Sequence, residues 1–321
     1  MTEITFKNVG QGDSLLLEWI DDSGTSKIAI IDTKKLGKNN NPIIEHLKYK
    51  KIKEIEFIIL SHPHEDHYSG MLQLLTFIEK ENISVNWFGH TIDRSLGKAY
   101  WRLFEQSRAA NQELERVLTK MIALRKAGFI KSVELPFKNW ELDLSSSVSI
   151  KALSPSHDEI QLYQSKVKLD AKVNNREASQ AANLLSTVFR ISSGNTHILI
   201  TSDAENFSLE RIQKERHLDK TKFYVVQVPH HGSVNNYSTV FWKSVQSRKV
   251  AVISAGHNLK YKHPDFEVLQ NLDALKYKVL ATNICHGMAS FKRSKRRSLT
   301  LDLISELDET AFEGGDKSFT F

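Results

Sequence analysis

The sequence predicts an α/β fold in which two β-sheets pack together with helices on the outside. Short strand-like segments occur in two blocks, one in each half of the chain, and helical segments separate and follow them. The composition is 40% hydrophobic and 26% charged over 321 residues, which is typical of globular chains with a large core. We therefore expect one core domain over residues 1–321 that carries insertions.

The first block of strands is expected to begin as a β-meander. Segments 2–7, 14–20 and 27–32 have strand-like patterns, and glycine-containing polar turns separate them. Asn41-Pro42 is expected to open a helix, because proline is favoured in the first turn. The β-branched run at residues 55–60 follows as a buried strand.

Two segments are expected to be insertions into this pattern. Residues 97–127 are strongly charged with helical periodicity, which predicts an inserted helical region. Residues 157–179 are polar and predict a mobile loop or a short helix that covers a pocket. The second block of strands is expected at residues 184–191, 197–201, 223–228 and 250–254.

Composition and patterning exclude several classes of protein. The longest apolar runs are far shorter than the roughly 18 residues of a membrane span. The N-terminus lacks a basic stretch followed by an apolar segment, so no secretory signal is predicted and a cytoplasmic location is expected. Cys285 is the only cysteine, which excludes an internal disulfide and a cysteine-based metal cluster. The net charge of +6 permits a polyanionic partner without requiring one.

The strongest functional signal is the run His-Pro-His-Glu-Asp-His at residues 62–67, directly after the expected strand 55–60. On a loop, closely spaced side chains can converge on one point, and imidazole and carboxylate groups are metal ligands. A solvated histidine-rich turn is the alternative. However, histidines removed from water need a metal or several hydrogen-bond partners. The run therefore predicts a metal site with four candidate ligands: His62, His64, Asp66 and His67.

Further candidate ligands follow other expected strands in the same way. Asp203 follows the strand at 197–201, and by itself it would be a helix N-cap. Because histidine or aspartate follows four separate strands, one common site is favoured over separate structural roles. The later candidates are His230 and His231 after the strand at 223–228, and His257 and His263 after the strand at 250–254.

In order along the chain, these motifs resemble those of the metallo-β-lactamase fold superfamily. More narrowly, they resemble the hydrolase domain of the ComEC family of DNA-uptake competence proteins. The motifs are Val-Gly-Gln-Gly-Asp-Ser at 9–14, Ile-Asp-Thr at 31–33, Leu-Ile-Thr-Ser-Asp at 199–203, Val-Pro-His-His-Gly-Ser at 228–233 and Lys-His-Pro at 262–264. The resemblance implies a four-layer αββα metallo-β-lactamase-like sandwich with a helical insertion. ComEC proteins also carry membrane helices, so this chain resembles a free-standing relative and transport is not implied.

The resemblance also implies roles for single residues. Two divalent metal ions, Zn²⁺ or Mn²⁺, would be bound next to each other, and Asp203 would bridge them. His62 and His64 would hold one ion, Asp66 and His67 would hold the other, and His263 would complete this second site. Asp32 would lie behind the ligands and orient them. His230 would face the substrate and His231 would pack or hold the turn, while His257 is a weaker competitor for His263.

One residue departs from the superfamily pattern. Many members carry a further histidine upstream of the bridging aspartate, whereas this sequence has Asn183 in the matching region. ComEC-like sequences commonly have an asparagine there. An amide oxygen coordinates weakly or holds a water, so the change favours a harder ion such as Mn²⁺ over Zn²⁺.

These residues together predict a metal-dependent phosphodiesterase or nuclease with DNA as substrate. Two divalent ions supply hydroxide at neutral pH and neutralise the charge of a phosphodiester. In this scheme Asp66 and His230 are the catalytic residues. A basic segment would add counter-charge for nucleic acid unless the acidic tail at 302–316 pairs with it. Its members are Lys292, Arg293, Lys295, Arg296 and Arg297.

Two alternatives keep the fold and change the function. The first is a hydrolase of small phosphoesters of the phosphocholine or cyclic-nucleotide type, whose turnover would be insensitive to salt. The second is a latent nuclease subunit that becomes active when a protein partner docks on the insertion at 97–127. Neither alternative predicts an association with membranes.

Overall fold

The fold is described from a computed structural model. It describes residues 1–92, 104, 107–167, 176–218, 221–245, 250–298 and 313–321, and for residues 296–298 it describes the backbone alone.

The strands of the described chain form two seven-stranded sheets. The first sheet has the order β14-β1-β2-β3-β4-β5-β6 and contains β1 (Thr2–Phe6), β2 (Leu15–Ile20), β3 (Ser26–Ile31), β4 (Glu54–Leu60), β5 (Ser84–His90), β6 (Ile130–Glu134) and β14 (Lys317–Thr320). The second has the order β13-β12-β11-β10-β9-β8-β7 and contains β7 (Glu141–Asp143), β8 (Val148–Ser154), β9 (Val188–Ser193), β10 (Thr196–Ile200), β11 (Phe223–Gln227), β12 (Val250–Ile253) and β13 (Lys278–Ala281).

Both sheets combine an antiparallel part with a parallel part. In the first sheet β1, β2 and β3 form the expected meander, and β3 to β6 run parallel to one another. In the second sheet β7 to β10 are antiparallel, and β10 to β13 are parallel. Because the carboxyl ends of parallel strands meet at one edge, the segments that follow β3, β4, β10, β11 and β12 can approach a common point.

Helices flank the two sheets. They are α1 (Pro42–Tyr49), α2 (Glu65–Tyr68), α3 (Met71–Lys80), α4 (Arg108–Lys126), α5 (His157–Lys166), α6 (Arg176–Ala181), α7 (Asn206–Lys214), α8 (Thr239–Ser244), α9 (Phe266–Ala274) and α10 (His286–Ser298). Short 3₁₀-type turns occupy Ala182–Leu185, Pro229–Gly232 and Val234–Asn236, and the second of these departs from helical geometry at His230 and His231. In the described part of the chain, no helix is long and apolar enough to span a membrane.

The packing of β4 explains why its last four residues are all apolar. Phe57 and Ile59 belong to the apolar cluster that includes residues of both sheets. Ile58 and Leu60 point to the other face, where they pack with residues of α1, α3 and α4. A strand buried on both faces, between a sheet and a helical layer, is the arrangement that the expected α/β sandwich requires. The predicted fold class is confirmed.

The two expected insertions lie partly within the described residues. Phe104 and residues 107–127 of the first are described, and α4 packs there against α3 and β6. In the second, α5 and the start of α6 are described, whereas residues 168–175 lie outside the described part. The segment 157–166 is therefore a helix, and it leads toward Ser179 and Asn183.

A buried ion pair anchors α5 to α7. The Glu159 carboxylate is fully buried and accepts a hydrogen bond from Arg211 Nε at 2.9 Å. It also accepts bonds from Ser154 Oγ and from the backbone N–H of Ser156, the residue that caps α5. Arg211 Nη2 donates to the Leu153 carbonyl at 2.7 Å. The pair thus joins the segment leading to Asn183 to the helix that follows Asp203.

We expect Glu159→Gln to lower the free energy of unfolding by about 3 kcal/mol, because it removes the fully buried one of the two carboxylates that pair with the Arg211 guanidinium. Glu215→Gln is the matched control. Glu215 also contacts Arg211, at 2.7 Å, but its side chain is 31% exposed, so we expect a loss below about 1 kcal/mol. Urea denaturation measures both, and equal losses would contradict this description of the pair.

Candidate metal centre

Side chains from both sheets converge at the shared edge where their parallel strands end. The segment after β4 contributes His62, His64 and the short helix α2, which carries Asp66 and His67. The turn after β10 contributes Asp203. The 3₁₀ turn after β11 contributes His231, the second of the consecutive histidines. The common site expected from the strand ends is therefore present in the geometry.

The first ligand group consists of His62, His64 and Asp203. His62 Nε2 lies 3.2 Å from His64 Nδ1 and 3.7 Å from Asp203 Oδ2. One nitrogen or oxygen from each residue lies within 4.8 Å of the corresponding atoms of the other two. His62 and Asp203 are buried, and His64 is partly exposed.

The second ligand group consists of Asp66, His67, Asp203 and His231. His231 Nε2 lies 3.2 Å from Asp66 Oδ2 and 3.6 Å from Asp203 Oδ1. His67 Nε2 lies 3.4 Å from the same Asp203 Oδ1. The two oxygens of Asp203 thus face different groups, as a bridging carboxylate would.

The unpaired atoms of the centre fit metal binding. Among the described residues, His67 Nε2 and Asp203 Oδ1 are buried and have no hydrogen-bond partner. Buried polar atoms are almost always paired, so these two atoms need another partner. Imidazole nitrogens and carboxylate oxygens suit Zn²⁺ and Mn²⁺. The chemistry of the seven ligand positions, with Asp203 counted in both groups, fits two divalent cations.

For three of the four histidines in the two groups, the far nitrogen has a carboxylate or carbonyl partner that sets the tautomer. His67 Nδ1 lies 2.7 Å from Asp32 Oδ2, and His231 Nδ1 lies 3.0 Å from the Ser254 carbonyl. Each Nδ1 therefore carries the proton, and each Nε2 is left as the ligand atom. His64 is reversed: its Nε2 lies 2.9 Å from the Ser179 carbonyl, which leaves Nδ1 toward His62.

Asp32 lies where the resemblance implies, behind the ligands. It follows β3 with a left-handed φ of 59° and its side chain is buried. Its Oδ1 accepts from the Ser61 backbone N–H at 2.7 Å, and its Oδ2 accepts from Ser61 Oγ at 2.5 Å. The carboxylate therefore holds both His67 and the start of the segment that carries His62.

The structure places His231 in the centre and leaves His263 outside it, which differs from the sequence-based assignment. His263 Nδ1 lies 3.1 Å from Asp265 Oδ2, and His263 belongs to neither ligand group among the described residues. His230 and His231 have left-handed φ values of 48° and 55°, so the chain turns sharply at these two residues. His231 Nε2 lies 3.2 Å from Asp66 Oδ2 and 3.6 Å from Asp203 Oδ1, so the residue does more than hold the turn.

His230 lies at the open side of the centre. Its Nε2 is 3.5 Å from Asp203 Oδ2, and its side chain is 25% exposed. Its Nδ1 lies 3.0 Å from Asn236 Oδ1, so this nitrogen carries the proton. A substrate could reach the exposed part of this ring, and the role of His230 in facing the substrate stays a prediction.

Asn183 is buried beside His230. Its Nδ2 donates to Glu205 Oε1 at 3.3 Å, while its Oδ1 has no partner among the described residues. Glu205, which sequence reasoning missed, therefore sets the orientation of the amide. Burial raises the pKa of Glu205, and this effect exceeds the opposing charge of His230. Its only signal in the sequence is its place two residues after Asp203.

The remaining predicted residues, as far as the structure describes them, belong to neither group. His257 is exposed, and its ring centroid is 5.4 Å from that of His286. On α10, Lys295 Nζ lies 2.6 Å from Asp273 Oδ1 and Arg293 donates to Ser290 Oγ. Lys292 is also on α10, whereas the side chains of Arg296 and Arg297 lie outside the described residues.

Gln227 and Asp13, which were given no role from sequence, support the turn that carries Asp203. Gln227 Oε1 accepts from the backbone N–H groups of Thr201 and Ser202, both at 3.0 Å. Its Nε2 donates to Asp13 Oδ2 at 2.8 Å. This buried chain of hydrogen bonds joins the loop after β1 in the first sheet to β10 and β11 in the second.

Mutual charges set the protonation of the centre. Burial alone would raise the pKa of Asp66 and Asp203, but the adjacent histidines hold both values well below the usual range. Burial alone would lower the pKa of His231, but Asp203 and Asp66 raise it to about 9. Burial, together with the charge of His67, lowers the pKa of His62 well below its usual value. Asp66 and Asp203 are thus ionised, which is the form of a carboxylate that binds cations.

Comparisons with known proteins agree with this centre at the level of the superfamily. A family model described as the metallo-beta-lactamase superfamily matches residues 9–117, which contain Asp32 and the 62–67 run. The two flanked sheets and the ligand groups are consistent with that fold and with a metal-dependent hydrolase. No curated protein matches the sequence of this chain.

Several solved structures are similar to this chain. CmlA, a diiron β-hydroxylase from Streptomyces venezuelae, is 13% identical with a TM-score of 0.44, and the match covers 100% of this chain and 54% of CmlA. This chain thus spans about half the length of CmlA. A diphosphatase from the PhnP family is 13% identical with a TM-score of 0.40, covering 99% of this chain and 98% of the diphosphatase. YhfI from Bacillus subtilis, a metallo-beta-lactamase fold protein, is 10% identical with a TM-score of 0.44, covering 87% and 95% respectively.

We expect His231→Ala to bind one equivalent of metal at a free concentration that loads two equivalents on the wild type, because His231 is one of four ligands in the second group. His263→Ala is the matched control and is expected to keep both equivalents. Metal analysis after gel filtration in buffer of defined free Mn²⁺ or Zn²⁺ measures this. Metal loss in His263→Ala with full retention in His231→Ala would contradict the grouping.

Proposed function

We propose that this chain is a metal-dependent phosphodiesterase, a nuclease with DNA as its substrate. The observation that carries the proposal is the shared carboxylate of Asp203, which lies between two ligand groups beside a partly exposed histidine. Two bound divalent ions supply hydroxide at neutral pH and balance the charge of a phosphodiester. The resemblance of the His-His-Gly-Ser turn to ComEC-type hydrolase domains supports DNA over an uncharged lactam or thioester.

The ligands of the proposed centre are the members of the two groups. His62, His64 and Asp203 would hold one ion, with Asn183 Oδ1 available as a weak additional ligand. Asp66, His67, Asp203 and His231 would hold the other. Asp32, Ser254 and Ser179 hold the histidines in the tautomers that coordination requires.

His230 is the proposed assistant at the reacting phosphate. Its Nδ1 proton is engaged by Asn236, so its Nε2 faces Asp203 and the open side. If a second proton is held at Nε2, the ring is an imidazolium, and that proton would stabilise charge on a phosphate oxygen or pass to the leaving oxygen, which are the contributions expected of an acid at this position. Asn236 keeps the ring in place because its own Nδ2 donates to the Ala204 carbonyl at 3.2 Å.

We expect His230→Ala to retain both metal equivalents and to lose between about 100-fold and 10,000-fold in kcat, because a proton donor is removed and the ligands remain. Metal analysis and steady-state kinetics on bis-p-nitrophenyl phosphate measure the two quantities. Loss of metal together with activity would instead make His230 a ligand.

The proposed activity is tested with metal-loaded wild type beside Asp66→Ala. We expect the wild type to cleave single- or double-stranded DNA and bis-p-nitrophenyl phosphate, and the variant to lose cleavage together with metal. Raising the salt concentration should weaken cleavage of DNA and leave the small ester unaffected, because only the polyanion releases counterions on binding.

Two outcomes would contradict the nuclease proposal. Metal bound with turnover of the small ester alone would indicate a hydrolase of small phosphoesters. Metal bound with no cleavage of any of these substrates, followed by activity when protein from the native host is added, would indicate a latent subunit that needs a partner.

A further inference from the structure

We propose that the loop between β12 and α9 binds a single-stranded nucleic acid chain beside the metal centre, with Tyr261 stacking on a base. This loop, residues 256–264, is called the ledge below. The inference deepens the proposed function, on which it rests for the reaction that follows binding. It is carried by a row of aromatic rings, by the exposure of the ledge and by its lysines.

Three rings extend from the metal centre to the surface. The His230 ring, whose Nε2 is 3.5 Å from Asp203 Oδ2, lies 5.9 Å from the His263 ring between centroids. The centroid of the Tyr261 ring lies 6.1 Å from that of His263, and the two rings are nearly parallel, with an interplanar angle of 12°. Tyr261 is therefore connected through His263 to the histidine beside Asp203.

The outer end of the row combines an apolar surface with positive charge. Tyr261 is 49% exposed and Leu259 is 90% exposed, so both side chains face solvent. Lys260 and Lys262 flank Tyr261 and are also exposed, and Lys260 Nζ lies 4.6 Å from the Tyr261 ring centroid. Proteins that bind single strands combine these two elements: rings that stack on bases and cations that contact phosphates. A base stacking on the ring would displace the exposed Lys260 ammonium, which can then contact a phosphate.

The ledge is held in shape before any ligand arrives. Asn258 Oδ1 accepts from the backbone N–H groups of Lys260 and Tyr261 at 2.9 and 3.1 Å. The Asn258 N–H donates to His286 Nε2 at 3.0 Å, which fixes the ledge to the start of α10. Gly256 packs so closely on the loop after β1 that an added Cβ would lie 1.9 Å from the Gln11 nitrogen. Because the loop is already ordered, less conformational entropy is lost on binding.

A single strand fits this surface better than a duplex. In a duplex the faces of the bases are covered by their neighbours, whereas in a single strand they are free to stack on an aromatic side chain.

The test measures binding separately from cleavage. Full-length, metal-loaded protein is titrated into a fluorescein-labelled phosphorothioate oligothymidylate of about 16 nucleotides, and anisotropy reports affinity. We expect Tyr261→Ala to weaken binding between about 5-fold and 150-fold, the effect of losing one base–aromatic stack. Tyr261→Trp is expected to restore affinity. Binding of a blunt duplex of the same length should change little in either variant.

Tyr49→Ala is the matched control. Tyr49 is 83% exposed and also lies between two lysines, Lys48 and Lys50. It ends α1 just before the amino end of β4, whereas the metal centre follows the carboxyl end of β4. We expect no change in affinity for the oligothymidylate. A Lys260→Ala/Lys262→Ala variant should reduce the slope of log affinity against log salt by about 1.4, because two phosphate contacts are lost.

The outcomes separate this inference from the proposed function. Equal affinity of Tyr261→Ala and Tyr49→Ala for the oligothymidylate would contradict the proposed role of the ledge. The same conclusion would follow if the wild type hydrolysed bis-p-nitrophenyl phosphate but did not bind the oligothymidylate. Binding that depends on Tyr261, in a protein that hydrolyses no phosphodiester, would support the ledge and contradict the nuclease.

Discussion

The sharing of one carboxylate between two groups of histidines is the constraint on which the rest of the site depends. A buried charge such as that of Asp203 costs several kcal/mol unless opposite charges and donors surround it. Its two oxygens face different partners, so the carboxylate must be held at one angle. That angle comes from the turn after β10, whose N–H groups are bound by Gln227, and Gln227 is held in turn by Asp13. The orientation of the Asp203 carboxylate therefore depends on contacts between the first sheet and the second.

Backbone carbonyls and a carboxylate behind the site determine which nitrogen of each of three histidines is available to bind a metal. An imidazole offers a ligand nitrogen only if its proton is on the other nitrogen. Asp32 and the Ser254 carbonyl hold that proton on Nδ1 of His67 and His231, whereas the Ser179 carbonyl holds it on Nε2 of His64. These partners come from three different segments of the fold. The tautomers of these ligand histidines consequently depend on the whole folded chain and not on the 62–67 run alone.

Local sequence was enough to predict some features and insufficient for others. The 62–67 run and Asp203 were identifiable because strand ends recur at one edge of an α/β sheet, and the fold class followed from the two strand blocks. The choice between His231 and His263 depended on which of the two side chains the folded chain brings to Asp203, and residue type alone does not reveal this. Gln227, Asp13 and Glu205 act through partners distant in sequence. By contrast, the Ser156-x-x-Glu159 capping pattern was readable and could have identified α5.

The ligands come from the two halves of the chain, and His62 lies 140 residues before Ser202, the neighbour of Asp203. A cation held by ligands from both halves would therefore act as a removable cross-link that closes a very long loop. The entropy that such a link removes from the unfolded chain grows with loop length, as it does for a disulfide. A chain with a single cysteine would thus gain from a bound metal the kind of cross-link that secreted proteins obtain from disulfides, and chelation would reverse it.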